Sequence, residues 1–325
     1  MSLLTITGDG TLRAENPVGT VYRCLGSDVD DAIAAAPYLP FTDIVAATLA
    51  YLPIGGDLAP YGWRIGVGED HFWRAARDER RRAHESAQIE FFGYEGELRI
   101  SLLGPLSLAT ATHLSTGERL LADSGAVREL PAMLAEGAAR LREDLATRLP
   151  GARITYTVWE PAFEAVCAGA IPTASGYRRY RAIPREEALQ LLRGLTDSLT
   201  EPTVCAPRPL PVNCTVGIDP LRLGRLETPA SRKDWELVAS LRDAERLPTL
   251  LVDPQNPGPA WRSACAAWRE LGFALKEMSG LTLLASRRAH ERALNRPPLT
   301  ERELREADLA ALLRAAPYAA EALSA

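Results

Sequence analysis

The stretch R-I-T-Y-T-V-W-E-P, residues 153 to 161, decides the fold. Its centre, Ile154 to Trp159, is rich enough in β-branched and aromatic residues to predict a buried strand. Glu160 and Pro161 end it, because proline cannot continue a sheet ladder. Directly upstream, residues 126 to 149 place Val127, Leu130, Leu134, Leu141, Leu145 and Leu149 at helical spacing, and Pro150-Gly151 stops that helix. L-R-I-S-L-L-G-P, residues 98 to 105, precedes the helix as another strand. A strand, a long helix and a second strand make the unit of a parallel sheet.

The same rhythm continues on both sides. Further strands are expected in P-T-V-C-A-P (202 to 207), V-N-C-T-V-G-I-D (212 to 219), L-P-T-L-L-V-D (247 to 253) and F-A-L-K-E-M (273 to 278), and helices over 185 to 195, 233 to 244 and 261 to 272. The length, the strands ending in proline or polar residues, and the lack of G-x-G-x-x-G after a first strand favour an α/β fold of the (β/α)8 barrel type over an open doubly wound sheet. In such a barrel Glu160, Cys205, Asp219 and Asp253 end strands and point toward one mouth. The competing reading is that acidic residues end strands simply because they turn well.

Composition narrows the setting. The 325 residues are 46% hydrophobic and 24% charged, enough to bury a large core. With 37 basic and 42 acidic residues the net charge is −5, and there is no basic tail to offer a footprint for nucleic acid or an anionic membrane. A small-molecule partner is expected. The charge-dense segment at 74 to 85 carries both signs and reads as a solvated helix face. Five scattered cysteines without a C-x-x-C predict free thiols in a reducing cytoplasm. No apolar run reaches the ~20 residues of a spanning helix, and the N-terminus lacks the pattern of a signal peptide. The expected organisation is an N-terminal extension over 1–18, a barrel over 19–295 and a helical tail over 296–325. Thr300 and Glu303 are placed to cap the tail helix, which would serve packing or a homodimer contact.

Several segments together suggest a family. G-P-L-S-L-A-T-A-T-H-L (104 to 114), G-E-R-L-L-A-D (117 to 123), W-E-P-A-F (159 to 163) and A-G-A-I-P-T-A-S-G (168 to 176) resemble the cobalamin-independent methionine synthase family, in particular its short single-barrel members. P-Y-L-P-F-T-D-I-V (37 to 45), P-Y-G-W-R (60 to 64) and W-R-E-L-G-F (268 to 273) fit the same pattern. The resemblance runs from about Gly19 to Asn295. It implies a (β/α)8 barrel related to uroporphyrinogen decarboxylase and methyl transfer from a folate to the sulfur of homocysteine. That chemistry uses zinc, since a bound metal converts a thiol to the thiolate that attacks.

The chain departs from the family where that chemistry lies. In the stretch resembling the family's His-x-Cys pair, Thr203 stands for the histidine and Cys205 is kept. Asp219 falls at the acidic ligand and Ser279 at the last cysteine, so the set lacks the three protein ligands a zinc site needs and no metal is expected. His71, His84, His113 and His290 show no ligand spacing, and His113 reads as a helix or loop residue. The family's D-E-P is here W-E-P: Trp159 replaces the carboxylate that holds the amino-acid substrate, while Glu160 is kept. Gly26 and Ser27 resemble the family's substrate-contacting Gly-Ser turn. From Thr203 to Asp219 there is too little non-helical chain for an ordinary crossover, so a barrel helix is missing or the strands are joined by an extended loop. The intact T-A-S-G-Y-R-R-Y-R, residues 173 to 181, offers Ser175, Tyr177, Arg178, Arg179 and Arg181 for a carboxylate, a phosphate or a flat ring; equally, it is a basic loop packed on the barrel.

Three readings follow. The first is a zinc-independent methyl or one-carbon transferase, or a related lyase, in which Glu160, Asp219 and Cys205 serve a small non-thiol substrate in specialised metabolism, with methyltetrahydrofolate as methyl donor. The second is a non-catalytic relative that binds a small molecule or a partner protein. The third is a metal site completed by another chain or by Cys214.

Overall fold

Eight parallel strands form one sheet in this computed structural model, which describes residues 2–10, 12–66, 68–224, 226–285 and 304–324. In chain order they are β1 (Leu4–Gly8), β2 (Ile33–Ala36), β3 (Gly96–Leu103), β4 (Ala152–Trp159), β5 (Pro202–Cys205), β6 (Thr215–Ile218), β7 (Thr249–Val252) and β8 (Leu281–Ala285). Each pairs with its sequence neighbour from β3 to β8, and β1 lies between β8 and β2. Just past β2, the Arg99 amide donates to the Pro37 carbonyl at 2.9 Å, and the Leu39 amide donates to the Arg99 carbonyl at 3.1 Å. These bonds join the two outer strands, and the sheet is nearly closed, a TIM-like (β/α)8 barrel.

Helices cover the outside. They are α1 (Pro17–Leu25), α2 (Ile44–Tyr51), α3 (His71–Glu90), α4 (Pro105–Ala111), α5 (Ser124–Arg148), α6 (Phe163–Cys167), α7 (Arg185–Thr196), α8 (Pro220–Leu223), α9 (Pro229–Asp243), α10 (Gly258–Glu270) and α11 (Glu306–Ser324). The apolar spacing that predicts the long helix also orients it: Val127, Leu130, Leu134, Leu141 and Leu145 of α5 are all buried. Leu98, Ile100, Leu102, Ile154 and Tyr156 pack with Leu141 and Leu145 in one apolar cluster, and the Tyr156 hydroxyl donates to the Ala138 carbonyl of α5. These residues therefore face outward. The alternate residues Glu97, Arg99, Ser101, Leu103, Thr155, Thr157 and Trp159 face the barrel interior.

Two expectations need correction. Residues 4–8, read as part of an extension, are β1 at the centre of the sheet. The stretch 273–278 is not a strand: Leu275–Met278 is a 3-10 turn, and the strand follows at β8. The C-terminal helix is α11, whose Leu309 and Leu312 are fully buried in the main apolar core. Thr300, Glu303 and His290 lie outside the described residues. The short spacing after β5 does mean a missing helix. No helix joins Cys205 to Thr215, and Leu210, Val212 and Cys214 of the connecting loop are buried.

At β6 the interior position is Gly217, and a Cβ there would come 2.3 Å from Cys205 Sγ and 3.1 Å from Leu251 Cδ1. Gly217→Ala is expected to destabilise the protein by about 1–3 kcal/mol through overpacking. Cys205→Ala in the same chain should recover most of that loss in denaturant unfolding, and strict additivity of the two changes would refute the contact.

Candidate functional site

The C-terminal ends of the strands carry Asp9, Leu103, Trp159, Glu160, Cys205, Asp219 and Asp253, the end where barrel loops carry chemistry. Each is held differently. Asp219 caps α8 by accepting from the Leu221 amide at 3.1 Å, and Asp253 accepts from the Gln255 amide at 3.0 Å. Cys205 and Trp159 are register partners on adjacent strands, 2% and 5% exposed, so both side chains are enclosed. Thr203 lies one interior position below Cys205, and Arg99 Nη1 approaches its hydroxyl at 3.5 Å.

Glu160 does not project into an open mouth. It is fully buried, and its carboxylate takes the N-terminus of α4: Oε1 accepts from the Leu106 amide at 2.9 Å, and Oε2 accepts from the Ser107 amide at 3.0 Å and the Ser107 hydroxyl at 2.7 Å. The Ser107 hydroxyl in turn accepts from the Ala162 amide at 3.1 Å, tying the turn after β4 to the turn after β3. Gly104 makes this approach possible, because a Cβ there would lie 2.2 Å from Oε1. Glu160 thus works as a capping group across two strands. Burial pushes its carboxyl up to about 7, against the opposing pull of the Ser107 and Leu106 donors.

The remaining sequence candidates do not gather at this end. Ser279 belongs to the turn before β8, where its hydroxyl donates to the Lys276 carbonyl. Gly26 caps the end of α1, and Ser27 follows it, on the approach to β2 rather than after β1. The strand-end turn of β1 is instead Gly8-Asp9-Gly10. Ser175, Tyr177, Arg178, Arg179 and Arg181 are exposed on a loop where Thr173 and Arg178 pair through the backbone. Tyr177 is 95% exposed and Arg179 is spent on the Ala170 carbonyl, so these side chains form no enclosed anion cradle. Tyr180, in the same loop, accepts from the Arg119 amide at 3.0 Å and donates to Glu118. His113 is buried, and its backbone links residue 63 to residue 65 of the hairpin Gly55–Ala59/Gly62–Gly66.

The positions compared with zinc ligands therefore do not converge. Thr203 packs beside Arg99 and Ser279 lies at the opposite ends of the strands. Among the described residues, no group of three or more His, Cys, Asp or Glu is arranged to hold a metal ion.

The interior holds polar residues that the sequence reading passed over. Glu97 Oε1 accepts from Arg99 Nε at 3.1 Å, from Arg99 Nη2 at 2.6 Å and from the Thr155 hydroxyl at 2.8 Å. Burial pushes Glu97 upward, but Arg99, Thr155 and Arg153 outweigh it and hold the carboxyl below its ordinary value. Nearer the C-terminal end, the Ser101 hydroxyl donates to Asp9 Oδ1, and both residues are buried. The signal was present in E-L-R-I-S-L, where charged and hydroxyl residues alternate with apolar ones, and in G-D-G after L-T-I-T.

Compared with known proteins, the chain matches no protein-family model and no curated protein sequence. No helix among the described residues is long and apolar enough to cross a membrane.

A pH measurement isolates Glu160. A carboxyl whose folded value lies above its unfolded one binds its proton more tightly in the folded state, so its stabilisation is complete below the ordinary 4.5 and is lost as pH rises through about 7. The unfolding free energy of wild type relative to Glu160→Gln should fall across that window in urea titrations. At pH 5 the substitution itself should cost about 1–2 kcal/mol, the worth of a helix cap. A pH-independent difference would refute the buried-acid account.

Proposed function

We propose that this protein is a divergent relative of the cobalamin-independent methionine synthases, a methyl or one-carbon transferase, or related lyase, that acts on a small non-thiol substrate. The observation that carries this reading is the meeting of six of the seven resembling segments at one end of the barrel, residues 268–273 lying at the other, at the close of α10. Trp63 Nε1 of the 60–64 segment donates to Asp43 of the 37–45 segment at 3.4 Å. Glu160 and Ala162 of the 159–163 segment engage Leu106 and Ser107 of the 104–114 segment. Glu118 and Arg119 of the 117–123 segment engage Tyr180, just beyond the 168–176 segment. Segments scattered through the sequence and gathered around the loop end are what a shared binding architecture requires.

Thiol activation fits poorly. Thr203, Cys205, Asp219 and Ser279 do not make a four-ligand cage, so no step is assigned to zinc and the acceptor is placed outside the thiols. Trp159 at the end of β4 supplies an aromatic wall where the family has a carboxylate. Folate as the methyl donor belongs to this reading.

One observation favours the alternative of a non-catalytic binding protein. Glu160, the carboxylate kept from the family pattern, gives both oxygens to the α4 turn.

Titration of the natively purified protein with methyltetrahydrofolate is expected to give a saturable calorimetric isotherm, with elemental mass spectrometry finding far less than one zinc per chain. Near-stoichiometric zinc that falls in Cys205→Ser would return the chain to thiol methyl transfer. Failure to bind the folate, with another chain co-purifying tightly, would favour the non-catalytic reading.

A further inference from the structure

Helices α5 and α7 lie side by side on the outside of the barrel, each starting at the loop end and running toward the opposite one. Between them is a groove of about 810 Å3. Pro131, Ala132, Ala135 and Gly194 give it a small apolar lining, while Arg128 from α5 and Glu187 from α7 bring opposite charges to it. Proline and glycine are the poorest helix formers, yet Pro131 stands inside α5 and Gly194 inside α7. They meet in the groove, where a Cβ at position 194 would lie 3.3 Å from Pro131 Cβ. The two helices therefore present almost bare backbone there, a surface on which other helices can pack closely.

The charges are distinctive too. Arg140, Arg142, Arg148, Arg185 and Arg193 of these helices each bond through the side chain to a residue of their own chain. Arg128 makes no side-chain bond among the described residues, to Glu187 or to any other. Glu187 is likewise unpaired among them, although Glu186 beside it pairs with Arg193.

We infer that this groove is the contact face of a homodimer, covered by α5 and α7 of a second copy of this chain. In a two-fold assembly whose axis runs along the groove, α5 of one copy faces α7 of the other and all four helices keep one direction. Arg128 lies in the second turn of α5 and Glu187 in the first turn of α7, so both belong to the loop end of the groove. The axis then sets each Arg128 against Glu187 of the partner subunit, and two ion pairs close that end. A patch carrying one unpaired cation and one unpaired anion is complementary to itself, whereas a patch of a single sign repels its own copy. The small apolar lining adds the burial, because alanine, proline and glycine let the helices approach. The inference is independent of what the loop end of the barrel binds.

The experiment is sedimentation velocity on the full chain over a wide range of concentrations, with unfolding midpoints taken in dilute solution, where the monomer prevails. Wild type should pass from monomer to dimer as concentration rises. Arg128→Glu and Glu187→Arg each set like charges opposite one another at two symmetric places, and each should weaken the dimer about tenfold or more with the monomer's midpoint unchanged. The double variant should return to within about threefold of wild type, because the pairs re-form with their signs exchanged. In Arg128→Lys, mixed from unlabelled and isotope-labelled chains, a carbodiimide should join position 128 of one copy to Glu187 of the other, giving a peptide with one labelled half. If a charge reversal disturbs folding, this mixed cross-link still decides. A chain that stays monomeric at the highest concentration overturns the inference, as does a dimer indifferent to both single reversals or a double variant no tighter than either. A groove that takes up a different protein while the chain itself stays monomeric overturns it as well.

Discussion

Arg99 carries the constraint on which the rest of the architecture depends, because its backbone closes the sheet while its side chain fills the space that closure creates. Its amide and carbonyl bond to Pro37 and Leu39, joining the two strands that would otherwise be edges. Its guanidinium, 6% exposed as a residue, is turned into the barrel and held by Glu97, with Thr203 alongside. Removing one partner of such a buried pair leaves an uncompensated charge, which costs far more than the pair contributes as a whole. The interior of this barrel is thus specified by polar geometry as well as by apolar volume.

A second carboxylate extends that logic to the loop end. Glu160 draws the turn after β3 onto the end of β4, and Gly104 is the residue that leaves room for it. The bonds to Ser107 and from Ala162 join the two turns in a single polar cluster. A group so engaged supports the shape of the mouth.

The candidate site was only partly legible in advance. Cys205, Trp159, Glu160 and Asp219 do fall at strand ends, because a buried apolar run that stops at a polar or proline residue marks such an end directly. Ser279, Gly26 and Ser27 fall at the opposite ends of their strands. β1 and β2 are short and, in β2, alanine-rich, so neither carries the long apolar run that marks β3 and β4. The arginine loop shows the complementary failure: T-A-S-G-Y-R-R-Y-R has the composition of an anion site, but its side chains spread into solvent or bond to their own backbone.

What the sequence by itself determined is the alternation of apolar strands and amphipathic helices from residue 98 to residue 272, the absence of a helix between β5 and β6, and the fold class that follows. These are local properties, fixed by side-chain period and by the length of chain available between strands. Only the tertiary structure decided that residues 4–8 are a central strand, that Glu160 is a cap, and that Asp9 meets Ser101 while Thr157 faces the same interior. Those depend on register across strands far apart in the chain, and one residue of slip would send each side chain to the other face of the sheet.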